Sequence, residues 1–430
     1  MIFSRVFDVK FYSLHLPGIS YRLLAAFLIL TGTFLNAFRS WIGKCVLGFT
    51  AFLLLSIPFS VWHSGSLNVL FESWLLALTV YMSVAALITD YNQYRRTVHT
   101  LAFATLVLTL ICLKMGSMES GRLYLEQGRF ANPNEMAQAL LIGLPFWWAI
   151  LAGSRSIAGK LFAAGVMGMI LLTIGKTGSR GALIAISVTL VFLFLRASMM
   201  GKLQLLVTIG LLFSAAVVLL PGSLMQRYQT FFSDSDDTVT TANEGEMMED
   251  AVSSAESRKQ MLIESLILTA KHPIVGVGVG MFAVAEDAMA RAEGKRHGAW
   301  LGTHNSYTEV SSECGIPAAL FYLAVLGLSL KSSYSIYRAT KRRPELAKVS
   351  LDAVALHYSV LAFGITAFFV HAAYTSLLPA LAGLAVALVR TTKPLLERPP
   401  EPAPAPAMLQ PPAKFPRPRY RPAPSFNRSR

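Results

Sequence analysis

Residues 98–115 read VHTLAFATLVLTLICLKM, and this stretch decides the solvent in which the chain folds. A helix crossing a hydrocarbon core of about 30 Å needs about 20 apolar residues at about 1.5 Å each. The stretch meets that length with Lys114 as its one charged residue. Arg95 and Arg96 precede it and the polar segment 116–133 follows, so charge brackets the run without interrupting it.

The same pattern recurs outward in both directions. Comparable runs lie near 20–38, 43–60, 68–89, 134–152, 159–176, 181–196, 203–220, 306–330, 352–372 and 374–391. The 430-residue chain is 54% hydrophobic and 14% charged, against about 25% charged in an ordinary soluble domain. The expected fold is an all-α polytopic integral membrane protein of about 11–12 transmembrane helices, with one large, partly helical loop. Eleven spans with an inside C-terminus would put Arg5 and Lys10 outside; a twelfth crossing before Lys44 would restore the parity.

Basic residues gather in alternate connections: Arg39 and Lys44, Arg95 and Arg96, Arg155 and Lys160, Arg196 and Lys202, and Lys331 to Lys348. The positive-inside rule makes these cytoplasmic. The connections 61–67, 116–133, 177–180 and 221–305 then lie outside. The domain organisation expected is an N-terminal transmembrane bundle over 1–220, a large periplasmic loop over 221–305, C-terminal transmembrane helices over 306–391, and a disordered Pro- and Arg-rich tail over 392–430. That tail cannot build a core and reads as solvated, with contact to anionic lipid as the alternative.

The formal net charge of +14 lies between spans and in the tail. No basic stripe carries interleaved aromatics, so nucleic acid is not an expected partner. Cys45, Cys112 and Cys314 sit in or beside apolar runs without C-x-x-C spacing, which supports neither a disulfide framework nor a thiolate metal site. No Walker loop, nucleotide fingerprint or zincin motif occurs, and no cofactor is expected. Asp234, Asp236 and Asp237 read as a solvated acidic loop, with a Mg²⁺ site as the weaker alternative. Residues 233–256 are expected to be a mobile loop and Ser257 to Lys271 a helix stopped by Pro273. Gly276, Gly278 and Gly280 then form a turn-rich link, followed by a second helical patch from Met281 to Arg291.

Four outer-face segments carry candidate chemistry. Thr177-Gly178-Ser179-Arg180-Gly181 joins two apolar runs, and its glycines, arginine and following helix N-terminus can form an anion site; the plain alternative is a turn with a snorkelling arginine. Arg258 opens the loop helix and is either an anion ligand or a surface arginine paired with Glu256. His304-Asn305-Ser306-Tyr307-Thr308 stands where the loop re-enters the membrane. His304, Thr308, Ser311 and Gly315 would share one helical face, and an imidazole of near-neutral pKa suits general-base work; the alternative is a helix cap. Glu309 and Glu313, four apart, enter the apolar zone, where one could tune His304 or pair elsewhere. Arg129, Asn132, Pro133 and Asn134 precede another helix, as caps or as a polar floor for sugar hydroxyls or phosphate.

In this order the four segments resemble the O-antigen ligase and polymerase family. His304-Asn305, nine residues and Gly315 match its His-Asn motif. Asn132-Pro133-Asn134, Ser179-Arg180-Gly181, and Arg258 followed by Pro273 and Gly276-Val277-Gly278 match its other segments, so the likeness runs from about Arg129 to Gly315. The resemblance implies a GT-C-like, metal-independent inverting glycosyltransferase of the bacterial inner membrane. Such an enzyme moves a glycan from undecaprenyl diphosphate to a hydroxyl of lipid A–core on the periplasmic side. Carried over, Arg180 and Arg258 would grip the diphosphate and His304 would take the acceptor proton. Ser179, Asn305, Asn132, Asn134 and Arg129 would line the substrate site. One dominant loop favours a ligase over an O-antigen polymerase, and no added soluble region suggests a protein O-glycosyltransferase. A transporter is a different class; it would show interrupted-helix repeats and midplane polar residues, which the sequence does not.

Overall fold

A computed structural model of the chain describes residues 16–397 apart from 120, 127, 197–198, 201, 204–205, 207–208, 211–213 and 215–241. In chain order the elements are α1 (Leu16–Leu30), α2 (Trp41–Ser56), α3 (His63–Val69), α4 (Leu75–Leu87) and α5 (Tyr91–Met115). After the hairpin β1 (Ser117–Glu119) and β2 (Arg122–Tyr124) come α6 (Pro133–Gly153), α7 (Ile157–Lys176), α8 (Arg180–Arg196) and α9 (Ala242–Lys271). The series ends with α10 (Phe282–Ala292), α11 (Ser306–Thr340), α12 (Ala347–Thr366) and α13 (Leu377–Leu396). Met118 lies opposite Leu123 in the hairpin, a local pairing that the reading of 116–133 as a connection does not anticipate.

The protein is an all-α polytopic membrane protein. Among the described residues, seven helical segments are long and apolar enough to cross a bilayer: Trp41–Phe59, His63–Leu87, Tyr91–Met115, Pro133–Gly153, Ile157–Lys176, Ser306–Thr340 and Pro344–Thr366. That is fewer than the eleven or twelve expected, for identifiable reasons. The run 20–38 ends its α-helix at Leu30 and continues as a 3₁₀ turn, Thr33–Phe38. α8 is short, and α13 carries Arg390 and Lys393 near its end. The expected span 203–220 falls largely outside the described residues, as do the acidic cluster Asp234 to Asp237 and the tail beyond 397; the tail expected from 392 starts later, since 392–396 continue α13.

A second correction concerns the loop. α9 begins at Ala242, not near Ser257; the segment 242–256 is rich in Ala, Glu and Met, good helix formers without a proline to stop them.

Inside a bilayer, close packing and interhelical hydrogen bonds hold helices together. α11 is central, packing on α2, α12, α13 and α9, while α12 also packs on α6 and α8. The Trp147 indole N–H donates to Ala102 O at 2.8 Å, joining α6 to α5, and Ser359 Oγ donates to Ile142 O at 2.8 Å, joining α12 to α6. Phe49 meets Trp74 edge-on at 4.9 Å, and the Trp74 N–H donates to Thr50 Oγ1 at 3.2 Å.

These helices present two distinct ends. At one, Ser40, Asp90 and Ser156 cap α2, α5 and α7. There Tyr91 Oη donates to Asp352 at 2.6 Å, and Arg343 donates to Leu396 O at 3.2 Å. At the other end the connections 60–66, 116–132, 177–179, 272–305 and 367–376 converge. Val61 N donates to Val277 O at 3.0 Å, Ser66 Oγ to Val279 O at 3.0 Å, and Ser306 N to Ala367 O at 2.8 Å.

Candidate active site

The site is organised by the two ends of a short helix. Asn305 is the N-cap of α11: its side-chain oxygen accepts from Tyr307 N at 2.9 Å and Thr308 N at 3.2 Å. Ten residues later the helix breaks at Gly315, whose φ of 85° and ψ of 169° suit only glycine. The break frees carbonyls that the glycine-rich link then satisfies. Val277 N donates to Ser312 O at 3.0 Å and Gly278 N to Glu313 O at 2.9 Å, while Ile316 N donates to Pro273 O at 2.8 Å. A Cβ on Gly315 would stand 2.1 Å from Ile274 O, so the close approach also requires glycine.

His304 precedes the cap and is not helical. Its φ is +50°, a left-handed value uncommon outside glycine. The expected face of His304, Thr308, Ser311 and Gly315 therefore does not form: the cap turns the histidine out of the helix and Gly315 ends it. The left-handed turn brings the His304 ring against His371, centroid to centroid 5.3 Å and edge-on. Gly302 makes room, since a Cβ there would lie 3.1 Å from the His371 ring.

His371 belongs to the α12–α13 loop, which α11 holds from beneath. Ser306 Oγ donates to Val370 O at 2.7 Å and accepts from Ala372 N at 2.9 Å, and Glu309 accepts from Ala373 N at 3.1 Å. On its far side His371 Nε2 stands 3.6 Å from the Glu135 carboxylate, buried in the first turn of α6. The row Glu135, His371, His304 joins three chain segments. Sequence reading singled out only His304; the weak signal for Glu135 was its place three residues after the cap Asn132, the spacing of a capping box, and His371 had none.

Burial, then His371, then Arg258 push the His304 imidazole down to about 4, so it is neutral at pH 7 and able to accept a proton. Arg258 is thus close enough to act on His304. The reason is helical phase: Arg258, Met261, Ser265 and Leu268 share one face of α9, and the last three are buried. Thr269 Oγ1 shares a 2.8 Å hydrogen bond with Ser311 Oγ, fixing α9 on α11.

Arg180 is the first residue of α8, and Ser179 before it is buried, its Oγ accepting from Ala182 N at 3.4 Å. Gly181 packs on Phe369, which a Cβ would meet at 2.7 Å, so this turn abuts the loop that carries His371. Arg122 of β2 was not singled out by sequence. It donates to Thr177 O at 2.9 Å and to Asn134 Oδ1 at 3.0 Å, tying the Asn-Pro-Asn segment to the arginine turn. Asn132 is the cap of α6, accepting from Asn134 N at 2.9 Å. Asn132, Asn134 and Asn305 thus serve the backbone and its neighbours, while the Arg129 backbone forms a 3₁₀ turn.

A cavity of about 280 Å³ opens beside this row, lined by His371, Glu309, Glu313, Thr303, Tyr374 and Ser73 among others. Glu313 accepts from Gly280 N at 2.7 Å and Phe282 N at 3.0 Å, and so holds the glycine link and the start of α10. Both membrane-entering glutamates therefore brace loops. Among the described residues no three His, Cys, Asp or Glu side chains gather as a metal site.

Fold and site together define a polytopic membrane protein in which His304, His371 and Arg258 come together where several loops converge at one end of the bundle. Residues 164–323 match the family model described as O-antigen ligase, so the chain carries an O-antigen ligase family domain. The family is one of membrane glycosyltransferases of the ligase and polymerase type, acting on lipid-linked glycans. The matched span contains Arg180, Arg258 and the His304 to Gly315 motif; the Asn132-Pro133-Asn134 segment precedes it. A chain from a solved structure titled "Structural coordination of polymerization and crosslinking by a peptidoglycan synthase complex" is similar at 16% identity and a TM-score of 0.41, covering 84% of this chain and 99% of that one. No curated protein matches the chain.

Proposed function

We propose that the chain is an O-antigen ligase of the bacterial inner membrane, transferring a glycan from undecaprenyl diphosphate to a hydroxyl of lipid A–core at the periplasmic face. The observation that carries this reading is a neutral, partly buried His304 beside Arg258, in the loops that also hold His371 and the Arg180 turn. His304 takes the acceptor proton as the hydroxyl oxygen bonds to the anomeric carbon. The bond from that carbon to the phosphate oxygen breaks, and its electron pair leaves with the lipid diphosphate. Arg180 and Arg258 hold the diphosphate, since guanidinium forks bind phosphate oxygens in pairs and stabilise charge developing on the leaving group. The donor is already activated, so the reaction draws on no nucleotide.

The depressed basicity of His304 fits this assignment. Arg258 is one cause of the depression, and an anionic diphosphate bound at Arg258 offsets that positive charge. Donor binding thereby raises the basicity of His304 when a base is needed. The Glu135 carboxylate behind His371 favours the positive charge that a protonated His304 brings to the site.

The test is a lipopolysaccharide gel from a strain that lacks its own ligase but makes lipid-linked O-antigen and a compatible core. The wild-type chain should restore the ladder, and His304→Ala should lower transfer by about 10²–10⁴. Full activity in a folded His304→Ala variant at normal levels would remove the base assignment. Extension of the lipid-linked glycan without transfer to core would replace ligase by polymerase.

A further inference from the structure

The end of the bundle opposite the site holds a larger cavity, of about 960 Å³, between the start of α2, the second half of α11 and the end of α13. Lys331 lies 16 residues beyond the break at Gly315, about 24 Å along the continuous part of α11 at about 1.5 Å per residue, so this cavity is remote from His304. Arg39, Lys331, Arg390 and Lys393 line it, and no carboxylate does among the described residues. Nor does any of the four approach a carboxylate within ion-pair distance among those residues. Arg390 donates its Nη2 to Ile88 O, yet its buried Nε has no hydrogen-bond partner among the described residues.

The rest of the lining is equally one-sided. Ser40, Ser332 and Ser335 add hydroxyls at the level of the cations, while Leu328, Val386 and Val389 form an apolar wall deeper along the helices. Trp41 lies at the rim, 72% exposed, with Lys44 Nζ 4.5 Å over its ring. An exposed tryptophan beside lysine marks the interfacial level of a bilayer. The cavity thus presents cations and hydroxyls where lipid headgroups lie and an apolar wall where acyl chains begin. Four cations left without carboxylates in one cleft repel one another, which costs stability unless an anion joins them.

We propose that this cavity binds an anionic phospholipid, its phosphate among Arg39, Lys331, Arg390 and Lys393 and one acyl chain against Leu328, Val386 and Val389. The site depends neither on the donor nor on the acceptor of the transfer reaction. Basic pockets between transmembrane helices recognise lipid headgroups in this way.

The test is native mass spectrometry of the full chain in detergent, titrated with phosphatidylglycerol or phosphatidylcholine of identical acyl chains. The expected result is selective retention of phosphatidylglycerol, weakened about 30-fold by the double variant Lys331→Gln/Lys393→Gln, at about fivefold per cation. The double variant Lys331→Arg/Lys393→Arg should retain the lipid, which separates lost charge from lost folding. The variant Lys341→Gln/Arg342→Gln, basic positions outside the cavity, should bind as wild type. Inorganic phosphate at millimolar concentration should not displace the lipid. Equal retention of both lipids, unchanged binding in Lys331→Gln/Lys393→Gln, or displacement by inorganic phosphate would each overturn the proposal.

Discussion

Replacing Gly315 by alanine tests whether the helix break, and not merely a histidine near a membrane surface, builds the site. At φ 85° and ψ 169° an alanine is strained by about 1–3 kcal/mol. Its Cβ would also meet Ile274 O at 2.1 Å and Val275 N at 2.9 Å, both backbone atoms. Relief requires the glycine link to withdraw, which breaks the bonds from Val277 N, Gly278 N and Ile316 N. With three backbone bonds at about 0.5–1.5 kcal/mol each, the expected loss is about 2.5–7.5 kcal/mol. At about 2 °C per kcal/mol, the apparent Tm of the purified protein in detergent should fall by about 5–15 °C. Gly327→Ala is the internal control: it lies in the same helix with nothing within 4 Å of the added carbon and should gain up to about 1 kcal/mol from helix propensity. The reasoning is refuted if the two variants melt together. Transfer should fall in Gly315→Ala even at temperatures where the variant is folded, because α9 and Arg258 follow the displaced link.

Four further outcomes are expected. His304 is held near 4 in the fold against about 6.5 when unperturbed, so the acid limb of kcat/KM should lie near pH 4, and Arg258→Gln should move it upward. By linkage, the same depressed value makes the fold lose stability as pH falls from about 6.5 to 4 and no further; His304→Gln should flatten that window in thermal melts. Glu135→Gln removes the carboxylate 3.6 Å behind His371 and should lower kcat more than it raises KM, since the charge it would balance arises only as the proton moves. Asn132→Ala deletes the cap of α6 and should cost about 1 kcal/mol in stability with unchanged KM; a rise in KM would make Asn132 a substrate ligand.

The membrane class was legible because an apolar run of about 20 residues has few other readings. The number of crossings was less so. Hydropathy cannot see that the run 20–38 bends into a 3₁₀ turn after Leu30, nor whether α13, with Arg390 near its end, reaches both interfaces. His304, Arg180 and Arg258 were legible as polar residues at the ends of apolar runs, where each needs a reason. Asn132 and Asn305 were legible too, and the structure gives both a capping role beside any other. Glu135 and His371 were not, because their meaning is tertiary. They lie 236 positions apart in the chain and meet only because Ser306 and Glu309 hold the α12–α13 loop over the start of α6. Arg122 escaped for the same reason, its partners Thr177 and Asn134 coming from the α7–α8 connection and the first turn of α6.

The spacing of the His-Asn motif has a mechanical explanation that sequence alone does not supply. Nine residues make about two and a half helical turns, or about 13 Å, which is the distance between the two jobs the motif performs. Asn305 closes the upper end of the helix and leaves His304 in a left-handed turn above it; Gly315 opens the lower end so that backbone from Pro273 to Gly278 can dock. An inserted or deleted residue would rotate one end about 100° relative to the other, so either His304 would leave His371 or the link carrying α9 would leave its carbonyls. The short helix therefore works as a spacer that fixes Arg258, on one chain segment, against His304 on another. It also explains why burial at the site is tolerated. Most buried polar groups around it have partners, yet Nδ1 of both His304 and His371 has none among the described residues. An unpaired buried acceptor costs about 1–3 kcal/mol, a cost that a site for hydroxyl substrates recovers when it binds one. On the reading proposed above, the acceptor hydroxyl supplies the missing partner.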